Sequence, residues 1–319
     1  MAMIVAERLS KYYAGHRAID DVSFSIREGE IVGLLGLNGA GKSTILKILG
    51  CFLMPSAGGA KVAGHSVDGD PQAIRRLIGY LPDRPPLYDE MTVKGYLSYV
   101  AKLKNVPSGE VERRVSEVMD KTNTQEVSTV RLSELSHGFR QRVGIGQALV
   151  HNPPVLILDE PINGLDPVQI VEMRDLITSL KGKHTVVLSS HILSEITRTC
   201  DRILIVDQGK LVAEGAESDL TASMAKTMRL AVDVERVPDG LLDQLKSLKG
   251  VTQAVRDAVS LPGGGVRLVV SAGGDARAAV ANAVVQSGAG LVGLSRTEAG
   301  LEGLFMKLVR GAGAGAEVQ

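Results

Sequence analysis

Between Gly36 and Ser43 the chain reads GLNGAGKS, which fits the pattern glycine, four residues, glycine, lysine, serine. No other feature constrains the fold as much. Backbone N–H groups in such a loop wrap an anion because glycines put no Cβ in the way. Lys42 is then placed for β- and γ-phosphates and the Ser43 hydroxyl for Mg2+. The pattern works in one context, a buried strand that runs through a tight loop into the first turn of a helix, whose positive dipole end faces the anion. Both flanks are present. EIVGLLG (30–36) is apolar enough for a strand covered on both faces, and GKSTILKILGCF (41–52) has apolar residues at helical spacing. A plain glycine-rich turn competes, since the chain has 36 glycines, but the flanks favour nucleotide binding.

Further apolar runs, VLILD (155–159), TVVLSS (185–190) and RILIVD (202–207), alternate with helical patterns and predict an α/β layer fold around a largely parallel sheet. The first segment differs. MIVAERLSKYY and IDDVSFSI alternate like antiparallel strands and predict a small sheet beside the main one. From about 87 to 152 helical spacing takes over, as expected of an inserted helical subdomain. After 221 the order strand, helix, strand, strand, helix, strand predicts a separate α+β ferredoxin-like domain over 221–310. Its closing helix, LEGLFMKLVR, would carry Leu301, Leu304, Phe305 and Leu308 on one stripe, and residues 311–319 read as a disordered tail. The first domain is bounded at 1–220.

A strand buried on both faces has no reason to end in two acids unless they are used. VLILDE ends in Asp159 and Glu160, and downstream of a phosphate loop the first acid suits Mg2+ and the second the attacking water. The rest of the composition excludes more than it suggests. Lys+Arg and Asp+Glu balance at 36 each, which offers no field for nucleic acid. Two cysteines, Cys51 and Cys200, fit neither a disulfide framework nor a zinc site and suit a reducing compartment. The start lacks a signal-peptide core, and polar breaks interrupt every window long enough to span a bilayer.

SELSHGFRQRVGIGQALV (133–150) sets Ser136 beside His137, as a nucleophile and base would be. Its surroundings indicate another role. In order along the chain, Gly36–Thr44, LSHGFRQR (135–142), VLILDE, GLD (164–166) and LSSH (188–191) resemble the Walker A loop, signature, Walker B, D-loop and switch of an ABC transporter nucleotide-binding subunit. The resemblance covers about residues 1–220. It implies an ABC-type P-loop NTPase fold with ATP and Mg2+ as cofactors. Gly36, Asn38, Gly39, Ala40, Gly41, Lys42, Ser43 and Thr44 would hold the phosphates. Ser43, Asp159 and Asp83 would serve the metal. Glu160 would be the catalytic base, and His191 would bond the γ-phosphate.

The resemblance further implies that Tyr13 stacks on adenine and that Asp166 makes a dimer contact. Ser136 and Gly138 would meet ATP held by a second copy, with a helix starting near Phe139 pointing its N-terminus at that phosphate, so the segment is an anion site and not a nucleophile. The partners implied are a second copy, in an ATP sandwich, and a separate membrane permease. The chain would lie at the cytoplasmic face of the inner membrane and drive export. An ABC ATPase acting on a non-membrane target is the alternative. Three positions depart from the family pattern: His137 stands where many members have Gly, Phe139 where many have Gln, and Asp83 where a Gln usually senses Mg2+ and the γ-phosphate. A positive φ at 137 would strain the histidine.

Overall fold

A computed structural model describes residues 2–224, 228–260 and 265–297. The chain divides into two compact units, residues 1–217 and 218–319. The predicted stripe at Leu301–Leu308 and the tail lie outside the described residues.

In chain order the first unit runs β1 (Ala2–Tyr13), β2 (His16–Arg27), β3 (Ile31–Leu35), α1 (Lys42–Leu49), β4 (Ala57–Val62), β5 (His65–Ser66), α2 (Pro71–Leu77) and β6 (Ile78–Leu81). It continues with α3 (Val93–Leu103), α4 (Val111–Lys121), α5 (His137–Leu149), β7 (Val155–Leu158), α6 (Pro167–Ser179), β8 (Thr185–Ser190), α7 (Leu193–Thr199), β9 (Arg202–Asp207) and β10 (Lys210–Gly215). A further helix, α8 (Glu217–Met224), spans the division.

The central sheet has six strands in the order β10-β9-β3-β8-β7-β6, parallel except for β10 against β9. Strands β3, β7 and β8 are buried along their whole length, because helices cover both faces of a parallel sheet. That is why their sequences read as apolar runs without alternation. β6 was not among the expected strands. Its four residues include Gly79, where a Cβ would lie 2.0 Å from the Ala148 carbonyl, so α5 crosses this strand at backbone contact.

β2, β1, β4 and β5 form the expected antiparallel sheet. Its inward residues Ile4, Leu9, Ile19 and Val22 share one core with Ile45 and Leu49 of α1 and Leu34 and Val187 of the central sheet. Helices α3, α4 and α5 fill the stretch where strand patterns stop. α3 buries Val93, Tyr96, Leu97, Val100 and Ala101, a single face at helical spacing, and Thr92 caps it by accepting from Gly95 N–H at 3.1 Å.

The second unit contains β11 (Met228–Val234), α9 (Leu241–Ser247), β12 (Val251–Ser260), β13 (Val266–Ala272), α10 (Arg277–Gln286) and β14 (Leu291–Thr297). Its sheet order is β12-β13-β11-β14, antiparallel throughout, which is the ferredoxin-like arrangement. Leu230, Val232 and Val234 alternate on one face with Leu268 and Val270 and pack against Leu241, Leu245, Val280 and Val284 of α9 and α10. Among the described residues no helix is long and apolar enough to cross a membrane.

Candidate nucleotide site

In an open parallel sheet, ligands bind beyond the carboxyl ends of the strands. Four neighbouring strands, β3, β8, β7 and β6, end on one side here, and each is followed by a residue singled out from the sequence. β3 runs into the phosphate loop, β7 into Asp159 and Glu160, β8 into His191, and β6 into the segment with Asp83. They open onto a cleft of about 490 Å³ lined by Asn38, Gly39, Gly41, Lys42, Ser43 and Thr44 with Asp83, Glu160, Asn163 and His191.

Two glycines of the loop are fixed by space. At Gly36 a Cβ would lie 2.3 Å from the Val206 carbonyl. Gly41 has φ +108°, left-handed backbone, and a Cβ there would meet the Ala18 carbonyl at 2.7 Å. Gly36 and Ala40 are in the loop but do not line the cleft. Ala40 is buried, and its carbonyl accepts from Gly209 N–H at 2.9 Å. Helix α1 starts directly after Gly41 and has no side-chain cap, so its first N–H groups face the loop. Lys42 Nζ, almost wholly buried, donates to the carbonyls of Gly36 (2.8 Å) and Leu37 (3.2 Å) and lies 3.4 Å from Glu160 Oε1.

The two acids differ in environment. Asp159 Oδ1 accepts from Ser189 Oγ at 2.6 Å and Ser43 Oγ at 3.1 Å. Burial pushes its carboxyl above the usual carboxylate range despite those two bonds, and the Glu160 and Asp83 charges push the same way. A buried carboxylate beside a hydroxyl, with two more acids adding negative field, fits a hard divalent cation. Mg2+ needs only one or two carboxylates when phosphates supply the rest.

Glu160 is held by both carboxylate oxygens, Oε1 toward Lys42 and Oε2 accepting from His191 Nδ1 at 3.0 Å. Its backbone has φ +49°, and its N–H donates to Ser189 Oγ at 2.9 Å. Ser189 therefore joins the two acids, a role the sequence reading missed. The signal was a buried strand ending in hydroxyls, TVVLSS. Asn163, Leu37 and Ala18 also line the cleft and were not foreseen.

Tyr13 does not line the cleft. It is exposed at the end of β1, with Lys11 Nζ 5.4 Å from its ring centroid. Ser136, Gly138 and Asp166 also lie outside it. Ser136 caps α5, its Oγ accepting from Phe139 N–H at 3.4 Å. The helix begins at His137, two residues earlier than expected, so 137 is a helical position without a positive φ, and the anticipated strain is absent. His137 Nε2 is bound to the Asn163 carbonyl rather than turned to Ser136. At Gly138 a Cβ would lie 2.5 Å from the Gln169 side chain, so this glycine lets α5 approach α6. Phe139 has the Arg142 guanidinium 5.9 Å from its ring centroid. Asp166 caps α6, accepting from Val168 N–H (3.0 Å) and Gln169 N–H (2.9 Å).

Comparison with known proteins agrees with this geometry. The sequence pattern of the "ABC transporter" family matches residues 19–163. The chain is 34% identical over 242 residues to the uncharacterized ABC transporter ATP-binding protein YxlF of Bacillus subtilis, covering 76% of this chain and 80% of that one. It is 31% identical over 250 residues to the linearmycin resistance ATP-binding protein LnrL of the same organism, covering 78% and 80%. A dimeric post-hydrolysis state of the ATP-binding cassette MJ0796, bound to ADP and Pi, superposes with a TM-score of 0.62 at 27% identity, covering 67% of this chain and 98% of that one. Identity above 30% across most of two relatives, on a sheet that gathers the phosphate loop and both acids at one edge, has one consequence: the chain belongs to the ABC transporter ATP-binding proteins and is an ABC-type ATPase.

Proposed function

We propose that two copies of this chain close around two ATP molecules and that hydrolysis drives export through a separate membrane permease, with the chain at the cytoplasmic membrane face. The observation that carries the dimer reading is the position of Ser136. It caps an exposed helix start away from its own cleft and takes up the Phe139 N–H. That leaves the two earlier N–H groups of α5 without an intrahelical acceptor and suited to an anion brought by another copy. The MJ0796 relative is a dimer holding ADP and Pi. Export is supported by the resistance function in the name of LnrL. Residues 221–310 are read as a dimerisation and regulatory domain, which has the strands for an interface and no cluster of catalytic side chains in its described part.

Within the cleft the roles follow from geometry. Lys42 sits where phosphate oxygens would replace the Gly36 and Leu37 carbonyls as its acceptors. Glu160, fixed between Lys42 and His191, takes the proton of the attacking water. Ser43 and Asp159 would hold Mg2+, which when bound neutralises charge on the phosphates. Tyr13 remains the proposed adenine contact, on the family resemblance alone, and Asp166 the proposed dimer contact.

Ser136→Arg tests the sandwich. In a Glu160→Gln background, MgATP should raise the mass seen by light scattering. Adding Ser136→Arg should remove that gain while ATP affinity stays within about 2-fold, because removing a contact made only by the partner leaves the cleft intact. An undiminished gain in mass would mean that α5 does not face the partner's nucleotide.

Asp83 faces the same cleft as Ser43 and Glu160, and its charge acts on Asp159. Asp83→Ala should lower the rate about 10-fold, the usual effect of losing an outer ligand-positioning group. Asp83→Gln should be milder because it keeps an oxygen in reach, and Asp83→Asn should shift the Mg2+ concentration for half-maximal rate. Equal rates and metal dependence in all three would leave Asp83 a solvated loop residue.

A further inference from the structure

The nucleotide reading leaves His137 without a task, yet its ring is engaged. Nε2 lies 3.0 Å from the Asn163 carbonyl oxygen. A carbonyl only accepts, so Nε2 carries the proton and donates it. Asn163 closes the turn that begins at Glu160: its own N–H donates to the Glu160 carbonyl at 3.2 Å, and it lines the nucleotide cleft. One helical turn beyond His137, Gln141 stands on the same side of α5. It is 1% exposed, and its Nε2 lies 3.5 Å from that same Glu160 carbonyl. Residues at i and i+4 of α5 thus hold both ends of the turn that carries the general base.

Other features suit positioning better than stability. The left-handed backbone at Glu160 persists only where its surroundings over-determine it. Gln141 Oε1 is buried with no hydrogen-bond partner, a penalty that an apolar residue of similar size would avoid. At Gly164 a Cβ would lie 3.2 Å from His137 Nε2, so the ring packs directly on the loop that leads to Asp166.

We propose that His137, supported by Gln141, is a positioning residue that ties the start of α5 to the Glu160–Asn163 turn, so that a partner's phosphate seated on α5 sets the placement of this subunit's own general base. The proposal rests on the reading that α5 faces the partner's ATP. His137 is the first residue after the Ser136 cap, so a shift of the helix start passes through one side chain to Asn163 and from there to Glu160. Each chain then links the two nucleotides of the sandwich, one on its signature and one in its cleft.

Phosphate release by the full-length protein at varied ATP concentration tests the tie. His137→Ala should leave KM within about 2-fold, lower kcat by about 10- to 100-fold and bring the Hill coefficient toward one, as expected when a remote change displaces a reacting group. His137→Gln places an amide N–H at a similar reach and should recover most of the rate. Gln141→Met should lower kcat with Tm unchanged or raised, the opposite of what a merely structural residue would give. A parental kcat in His137→Ala overturns the proposal. So do equal losses in His137→Ala and His137→Gln, or rates that simply follow Tm across the three. MgATP-dependent association separates the two readings. If Ser136→Arg still associates, the sandwich reading fails; if it does not, yet His137→Ala turns over at the parental rate, only the tie fails.

Discussion

Glu160→Gln is expected to slow ATP turnover by about 10²- to 10⁴-fold while ATP still binds. The substitution keeps the shape of the side chain and removes the carboxylate that, in the proposed mechanism, accepts the water's proton. It also disturbs the pair that fixes this carboxylate. Oε1 lies near Lys42 and Oε2 accepts from His191 Nδ1, so an amide must turn its N–H groups toward at least one donor. Lys42, freed from one acid, keeps its bonds to the Gly36 and Leu37 carbonyls and remains available for phosphate. Retained nucleotide together with lost phosphate release is therefore the signature to measure. A parental rate of phosphate release would show that the proton goes elsewhere.

The second large effect is on stability in acid. His151 follows α5, its Nε2–H donating to the Ile78 carbonyl at 3.0 Å, while Nδ1 is buried with no partner. Burial pushes its pKa down to about 4, and the Lys104 ammonium, which also donates to the Ile78 carbonyl at 3.2 Å, acts in the same direction, as do Arg114 and His184. Between an ordinary value near 6.5 and about 4, the unfolded chain takes up a proton at His151 that the folded chain refuses. Its contribution is thus complete above pH 6.5 and is lost as pH falls through that window. The ceiling is about 3 kcal/mol, reduced by screening because the ring is only partly buried. Asp159 and Glu195, both raised by burial, titrate with the opposite sign, so the test is a difference. Urea unfolding from pH 7 to pH 4 should lose less stability in His151→Gln, which keeps an N–H for Ile78, than in the parent. Parallel curves for the two proteins would rule His151 out as the source.

What the sequence made legible was local. The phosphate loop, the acids after β7 and the histidine after β8 each sit within one strand and its exit, where spacing and residue type carry the information. The antiparallel layer was readable from alternation, and the second unit's fold from its succession of strand and helix patterns, for the same reason. Contacts between distant segments were not. Ser43 and Asp159 are 116 positions apart; the family motifs assign both to one metal, but nothing near either residue shows that their side chains bond each other directly. The Ser189 link between Asp159 and Glu160 depends on β8 lying beside β7, which periodicity does not encode. β6 escaped notice because four residues with a glycine make little pattern, and that glycine is explained only by the carbonyl of α5 across from it. The α5 start was misplaced because glycine and histidine are weak helix formers, whereas Ser136 was the real boundary signal.

The order of strands in the central sheet also bears on how the chain is made. A ribosome delivers β3 and its phosphate loop early, then β6 and β7 with both acids, yet β3 and β7 are not neighbours: β8 lies between them and pairs with each. A nascent chain stopped before Thr185 has no strand to bridge these two parts, and Asp159 has neither Ser189 nor a settled distance to Ser43. The last strand to enter the gap is the one that carries His191 at its exit. Synthesis therefore places the assembly of the proposed hydrolytic centre after nearly all of the first unit, and an unfinished chain holds a phosphate loop and two acids without the strand that joins them.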